Sequence, residues 1–141
     1  MTYYRNAFLL DDDPIANFLL ESTLRDEKLA RNIANFTSFP ALFEAFTDLA
    51  EGDTNADELP DLLLLDMHMP GKDAFEVLDR VLAIPGLEGN KVCVFLMSAS
   101  YDPRLEEKIK AYPVSGYLIK PLDNGAIRQL IQSAVKDECD L

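Results

Sequence analysis

The sequence predicts a doubly wound α/β sandwich: a five-stranded parallel sheet with helices on both faces. Three observations predict it. Short apolar runs alternate with longer amphipathic segments, and there is no internal repeat or low-complexity tract. Two of the runs, Leu62-Leu63-Leu64-Leu65 and Val92-Cys93-Val94-Phe95-Leu96-Met97, are apolar at every position, the pattern of strands buried on both faces. Polar side chains stand directly after the runs, where an open parallel sheet carries its site.

The elements follow in order. Phe8-Leu9-Leu10 is a short strand ending in Asp11-Asp12-Asp13. Asp13-Pro14 then reads as a helix start, with Asp as N-cap and Pro at the first helical position. That helix is expected to run to about Leu29. Ile33-Ala34-Asn35-Phe36 is a weaker second strand. Pro40 opens a second helix with Leu42, Ala45, Phe46 and Leu49 on one stripe. The polar stretch from Glu51 to Pro60 is a solvated loop before the four leucines and Asp66.

A third helix is expected from Ala74 to about Leu82, with Phe75, Leu78 and Leu82 facing inward. The Val92–Met97 run ends at Ser98-Ala99-Ser100. Pro103 starts a fourth helix carrying Leu105, Ile109 and Tyr112. Tyr117-Leu118-Ile119 is the fifth strand and ends at Lys120-Pro121. A last helix, about Gly125 to Val135, places Ile127, Leu130, Ile131 and Ala134 on one face. Right-handed crossovers between the strands then put helices on both faces.

Composition bounds the function. The 141 residues include 25 acidic and 13 basic side chains, a formal charge of -12. That balance argues against a nucleic-acid binder, which needs a basic face, and against an anionic membrane surface. It suits a protein that gathers acids around a divalent cation. No apolar stretch is long enough for a membrane span, and no signal-peptide core fits the N-terminus. Cys93 reads as a small buried hydrophobe and Cys139 as a free thiol near the end. Without a disulfide framework or zinc motif they suggest a reducing cytoplasm.

The strand ends nominate a site: Asp11, Asp12 and Asp13 after the first strand, Asp66 after the third, Ser98 after the fourth and Lys120 after the fifth. Carboxylates converging in one crevice repel each other unless a cation sits between them. Hard oxygen ligands of this kind suit Mg²⁺. A lysine and a hydroxyl opposite them supply donors for an anion. Together these groups make a phosphoryl-transfer site in which Asp66 can become an aspartyl phosphate. Taken singly, each residue has a plainer reading as a cap, a turn or a surface group; the joint placement carries the argument.

Leu9-Leu10-Asp11-Asp12-Asp13-Pro14, Leu64-Leu65-Asp66-Met67-His68-Met69-Pro70-Gly71, Met97-Ser98-Ala99 and Gly116-Tyr117-Leu118-Ile119-Lys120-Pro121 resemble the receiver domain of two-component response regulators. The resemblance covers essentially the whole chain. It implies a flavodoxin-like sheet in order 2-1-3-4-5 and a single receiver domain over residues 1–141 with no output domain. It also implies Asp66 as acceptor of phosphate from a sensor histidine kinase or a histidine phosphotransfer protein. By position, Asp11 and Asp12 are the acid pair for Mg²⁺, joined by Asp66 and the backbone carbonyl of His68. Ser98 and Lys120 would contact the phosphoryl oxygens, and Tyr117 would be the aromatic that changes rotamer on activation.

Some positions depart from the family pattern. Asp73-Ala74 stands where Asp-Gly is common, so a turn needing positive φ there would be strained, with Gly71 free to absorb the bend. Lys72 stands where an apolar residue is commoner, and the loop from Gly52 to Glu58 is longer and more polar. The expected function is a phosphoacceptor switch in the cytoplasm, not a turnover enzyme. It would report to a downstream protein, through the last helices and fifth strand. His68 and Ser100 are expected to flank the opening through which water reaches the phosphate. The side chain of His68 is expected to face solvent, and Tyr101 and Tyr112 to be partly buried packing residues. The alternative is a Mg²⁺-dependent aspartyl-phosphate phosphohydrolase, but such enzymes carry the nucleophile after strand one and need a cap. A flavin module would need hydroxyls, not acids, after strand one. A pseudo-receiver that only docks would not need Asp66, Ser98 and Lys120.

Overall fold

A computed structural model describes residues 2–51, 58–69, 71–83 and 92–136. The strands are β1 (Tyr4–Leu10), β2 (Ala30–Phe36), β3 (Leu62–Asp66), β4 (His68–Met69), β5 (Lys72–Asp73), β6 (Cys93–Ser98) and β7 (Gly116–Ile119). The helices are α1 (Pro14–Asp26), α2 (Phe39–Glu51), α3 (Ala74–Leu82), α4 (Pro103–Ile109) and α5 (Asn124–Lys136). β4 and β5 form only a two-residue antiparallel ribbon. The main sheet is parallel in order β2-β1-β3-β6-β7, which is the expected 2-1-3-4-5 once that ribbon is set aside.

The alternation of strand side chains builds two cores. Phe8, Leu10, Leu63, Leu65, Val94 and Leu96 point to the face covered by α2, α3 and α4. Ala7, Leu9, Leu62, Leu64, Cys93, Phe95 and Met97 point to the face covered by α1 and α5. The four leucines of β3 are at most 1% exposed. Each contributes about 1.5–3 kcal/mol of burial. A strand apolar at every position fits only the centre of such a sandwich, with β1 and β6 beside it.

Two Asp-Pro pairs start helices the same way. Asp13 Oδ1 accepts from Ile15 N (2.9 Å) and Asp102 Oδ1 from Arg104 N (2.9 Å), each with proline at the first helical position. α1 stops at Asp26, short of the expected Leu29. Lys28 takes a left-handed φ of 55°, so the Leu29 N–H folds back to Leu24 O (2.8 Å) and closes the helix. α4 likewise ends at Ile109. Tyr112 lies beyond it, half-buried against Phe75 with ring centroids 5.4 Å apart. Tyr101, expected to pack, is 61% exposed and hydrogen-bonds Glu106 through its hydroxyl.

The turn after β4 is made at Gly71, φ +72°, and Ala74 opens α3 instead of bearing the bend. Most of the polar loop before β3 lies outside the described residues. Asp61, between that loop and β3, is more than a solvated link: its carboxylate accepts from Arg5 N and Asn6 N, both at 2.8 Å, and pins the start of β1. Cys93 is buried, as expected for a small hydrophobe, and Cys139, expected to be a free thiol, lies outside the described residues. No helix among the described residues is long and apolar enough to cross a membrane.

Candidate functional site

The parallel register brings the nominated residues to one edge. Asp66 pairs with Met97 across β3 and β6, and Ser98 with Ile119 across β6 and β7. Backbone bonds continue past the regular ladder, from Met67 N to Met97 O and from Lys120 N to Ser98 O, both 2.8 Å. Asp11 is tied to β2 by its N–H to Phe36 O (3.1 Å). The strand ends are thereby held beside each other. The Lys120–Pro121 peptide bond is cis.

Asp11, Asp12 and Asp66 each offer a carboxylate oxygen, all within 4.8 Å of one another. Asp11 and Asp66 are buried, 2% and 6% exposed, while Asp12 is exposed. Lys120 reaches the same cluster, its Nζ 2.8 Å from Asp11 Oδ2 and 3.4 Å from Asp66 Oδ1. Asp11 Oδ1 accepts the Asp13 N–H (3.0 Å), and Asp66 Oδ1 accepts the His68 N–H (3.2 Å). Each buried charge is partnered, which is the condition for keeping it inside. The three acids offer hard oxygen donors in one cluster, a set that fits a small divalent cation.

Electrostatics at the site follows from burial and proximity. Burial pushes the Asp66 carboxyl above the usual carboxylate range. The neighbouring Asp11 charge adds to this, while the His68 N–H and Lys120 oppose it. Burial alone would lower the Lys120 ammonium. The hydrogen bond to Asp11, with the charges of Asp66 and Asp11, outweighs it, and Lys120 is held above its ordinary value. The site is thus an ionised lysine between two buried carboxylates, one of them reluctant to ionise.

Two features were not legible in the sequence. Asn17 is buried at 3% exposure, and its Nδ2 donates to Asp11 O (2.9 Å) and Phe36 O (3.1 Å). It clamps the end of β1 to the end of β2, directly behind the first acid. The available signal was position: Asn17, Leu20 and Leu24 fall on the inward stripe of α1, where a polar residue is unusual. The second is His68. Its side chain is exposed, as expected, yet Nε2 lies 3.0 Å from Ser98 Oγ, so the ring leans across the site. Ser98 is wholly buried, and its hydroxyl donates to Ser100 O (2.9 Å). Tyr117 OH donates to the same carbonyl (2.9 Å), and its ring meets Tyr101 edge-on.

Residues 7–132 match the response regulator receiver domain family. The chain belongs to that family. A two-component response regulator structure from Cytophaga hutchinsonii superposes with a TM-score of 0.82 at 29% identity, covering 94% of this chain and 98% of that one. The positive alginate biosynthesis regulatory protein of Pseudomonas aeruginosa is 28% identical over 92% of this chain and 46% of its own length. The sporulation initiation phosphotransferase F of Bacillus subtilis is 31% identical over 64% of this chain and 69% of its length. The chain spans about half the length of several curated relatives it matches, the alginate regulator among them. Receiver domains are signalling switches of two-component systems, and they generally bind Mg²⁺ at an acidic pocket of this kind.

Proposed function

We propose that this chain is the phosphoacceptor switch of a phosphorelay, with Asp66 taking phosphate from a histidine of a kinase or a phosphotransfer protein. One observation carries the reading: Lys120 Nζ sits between Asp11 and Asp66, at 2.8 and 3.4 Å, at the carboxyl ends of three strands. In the transfer an Asp66 oxygen bonds to phosphorus as the phosphorus–nitrogen bond of the donor imidazole breaks. Lys120 and Ser98 would donate to the phosphoryl oxygens, Lys120 trading part of its contact with the carboxylates for one with the new anion. Asp11, Asp12, Asp66 and the backbone carbonyl of His68 would hold Mg²⁺, which neutralises charge on the phosphoryl group.

The donor's approach is suggested by the surface. Ile15, Phe18 and Leu19 of α1 are 69%, 67% and 60% exposed. Leu19 also lines a cavity of about 240 Å³, together with Leu20, Lys120, Pro121, Leu122 and Asp11. An apolar rim next to a phosphoryl-transfer site suits a protein donor, not a small free substrate. In this reading residues 1–141 act as one receiver domain in the cytoplasm, signalling to a downstream protein through Tyr117 and its surroundings.

The test is incubation with a small acyl phosphate and Mg²⁺, followed by intact mass. The reading expects one added phosphate, dependent on Mg²⁺ and absent in Asp66→Asn. Sustained phosphate release from ordinary phosphomonoesters, with no phosphorylated protein, would favour a phosphohydrolase instead.

A further inference from the structure

The Ser98 hydroxyl is saturated. It has one hydrogen and can accept two bonds. The hydrogen goes to Ser100 O at 2.9 Å, and the Ser100 N–H approaches the same oxygen at 3.3 Å. The remaining partner is His68 Nε2 at 3.0 Å. Because the only hydroxyl hydrogen is committed to Ser100 O, the ring nitrogen must be the donor. The backbone of the same histidine donates to Asp66 Oδ1 at 3.2 Å, which fixes where the ring starts. His68 thus spans from the proposed phosphoacceptor to the wholly buried serine of β6.

We propose that the His68 side chain is a latch on Ser98. In the unphosphorylated chain its Nε2–H holds the hydroxyl in the orientation that donates to Ser100 O. For Ser98 to donate to a phosphoryl oxygen on Asp66, its hydrogen must leave Ser100 O and its oxygen must leave the ring. The latch reaches the surface through one shared acceptor. Ser100 O receives both Ser98 Oγ and Tyr117 OH, so turning Ser98 away changes the bonding of Tyr117. His68 is a positioning residue here, acting through Ser98. The inference rests on the reading of Asp66 as phosphoacceptor and deepens it: the resting state is held by a side chain two positions beyond the acceptor, and the phosphate must displace that hold.

The experiment titrates beryllofluoride, a mimic of the phosphoryl group, into the Mg²⁺-loaded full chain. Tyr117 and Ser100 are followed by NMR. A latch worth one net hydrogen bond predicts that His68→Ala binds the mimic about 3- to 10-fold more tightly than wild type. Without the mimic, its Tyr117 and Ser100 resonances should already lie partway towards the bound positions. His68→Gln, whose amide can still donate, should fall between the two. In a Ser98→Ala background the same His68→Ala change should have no effect on affinity. Unchanged affinity and resting shifts in His68→Ala would overturn the latch, as would an equal gain without Ser98. Weaker binding would also overturn it, making the ring a direct phosphoryl ligand. Failure of the phosphoacceptor reading is distinguishable, because wild type itself would then not bind the mimic at Asp66.

Discussion

Replacing Lys120 by Met isolates the electrostatics of the site. Its Nζ lies 2.8 Å from Asp11 and 3.4 Å from Asp66. At an effective dielectric near 20, each contact carries about 5–6 kcal/mol of gross attraction. Desolvation of the three charges takes most of this back, and breaking a buried pair costs about 3–5 kcal/mol. The Lys120 side chain is 25% exposed, so solvent screens it and the low end applies. We expect Lys120→Met to destabilise the metal-free protein by about 3 kcal/mol near neutral pH.

The sign with pH is fixed by the carboxylates. The cost is that of two ionised acids left facing each other, so it shrinks as pH falls and they protonate. Asp66 already sits above the usual range, and losing the lysine raises it further, so the shrinkage begins at a higher pH than for an ordinary carboxylate. Urea denaturation of both proteins across pH, with and without saturating Mg²⁺, reads all of this. Mg²⁺ should stabilise the variant more than wild type, because it replaces the missing positive charge. A loss below about 1 kcal/mol near neutral pH, the value of an exposed pair, would refute the reasoning. So would a loss that persists undiminished in acid.

Three further outcomes follow from the same geometry. Asp66→Asn should be more stable than wild type in metal-free buffer near neutral pH. The raised carboxyl contributes stability below its unfolded value of 3.8 that is lost as pH rises through the folded value, so the advantage should vanish in acid below 3.8; a constant difference in the denaturation profiles would contradict this. Asn17→Ala removes donors from Asp11 O and Phe36 O and should destabilise by about 2–3 kcal/mol in urea melts. A loss within about 0.5 kcal/mol would show the clamp to be dispensable. Gly71→Ala meets no atom within 4 Å and carries only the strain of its φ of +72°, about 1–2 kcal/mol by thermal or urea unfolding; a neutral result would mean the turn relaxes.

The site residues were legible because of where they stand. Asp11, Asp66, Ser98 and Lys120 each close a run of apolar strand residues, and a parallel sheet brings all such positions to one edge. The same logic placed β3 at the centre from four leucines alone. What escaped was set by contacts between segments distant in the chain. Asp61 bonds to Arg5 and Asn6 only because β1 and β3 pair, and no local pattern announces it. The His68–Ser98 bond needs the register of β3 against β6, and the exposed residue that makes it looks local and solvent-facing. The early end of α1 rests on one lysine adopting a left-handed φ, which propensity assigns to glycine.

The central claim is that Asp66 becomes an acyl phosphate. Borohydride reduces an aspartyl phosphate to homoserine and leaves a free carboxylate or a phosphorylated hydroxyl untouched. The protein is treated with a small acyl phosphate and Mg²⁺, reduced, digested and mapped by mass spectrometry. The account predicts homoserine at position 66, and only in the sample that received both reagents. Homoserine at Asp11 or Asp12, or phosphate on a serine with Asp66 intact, would contradict it.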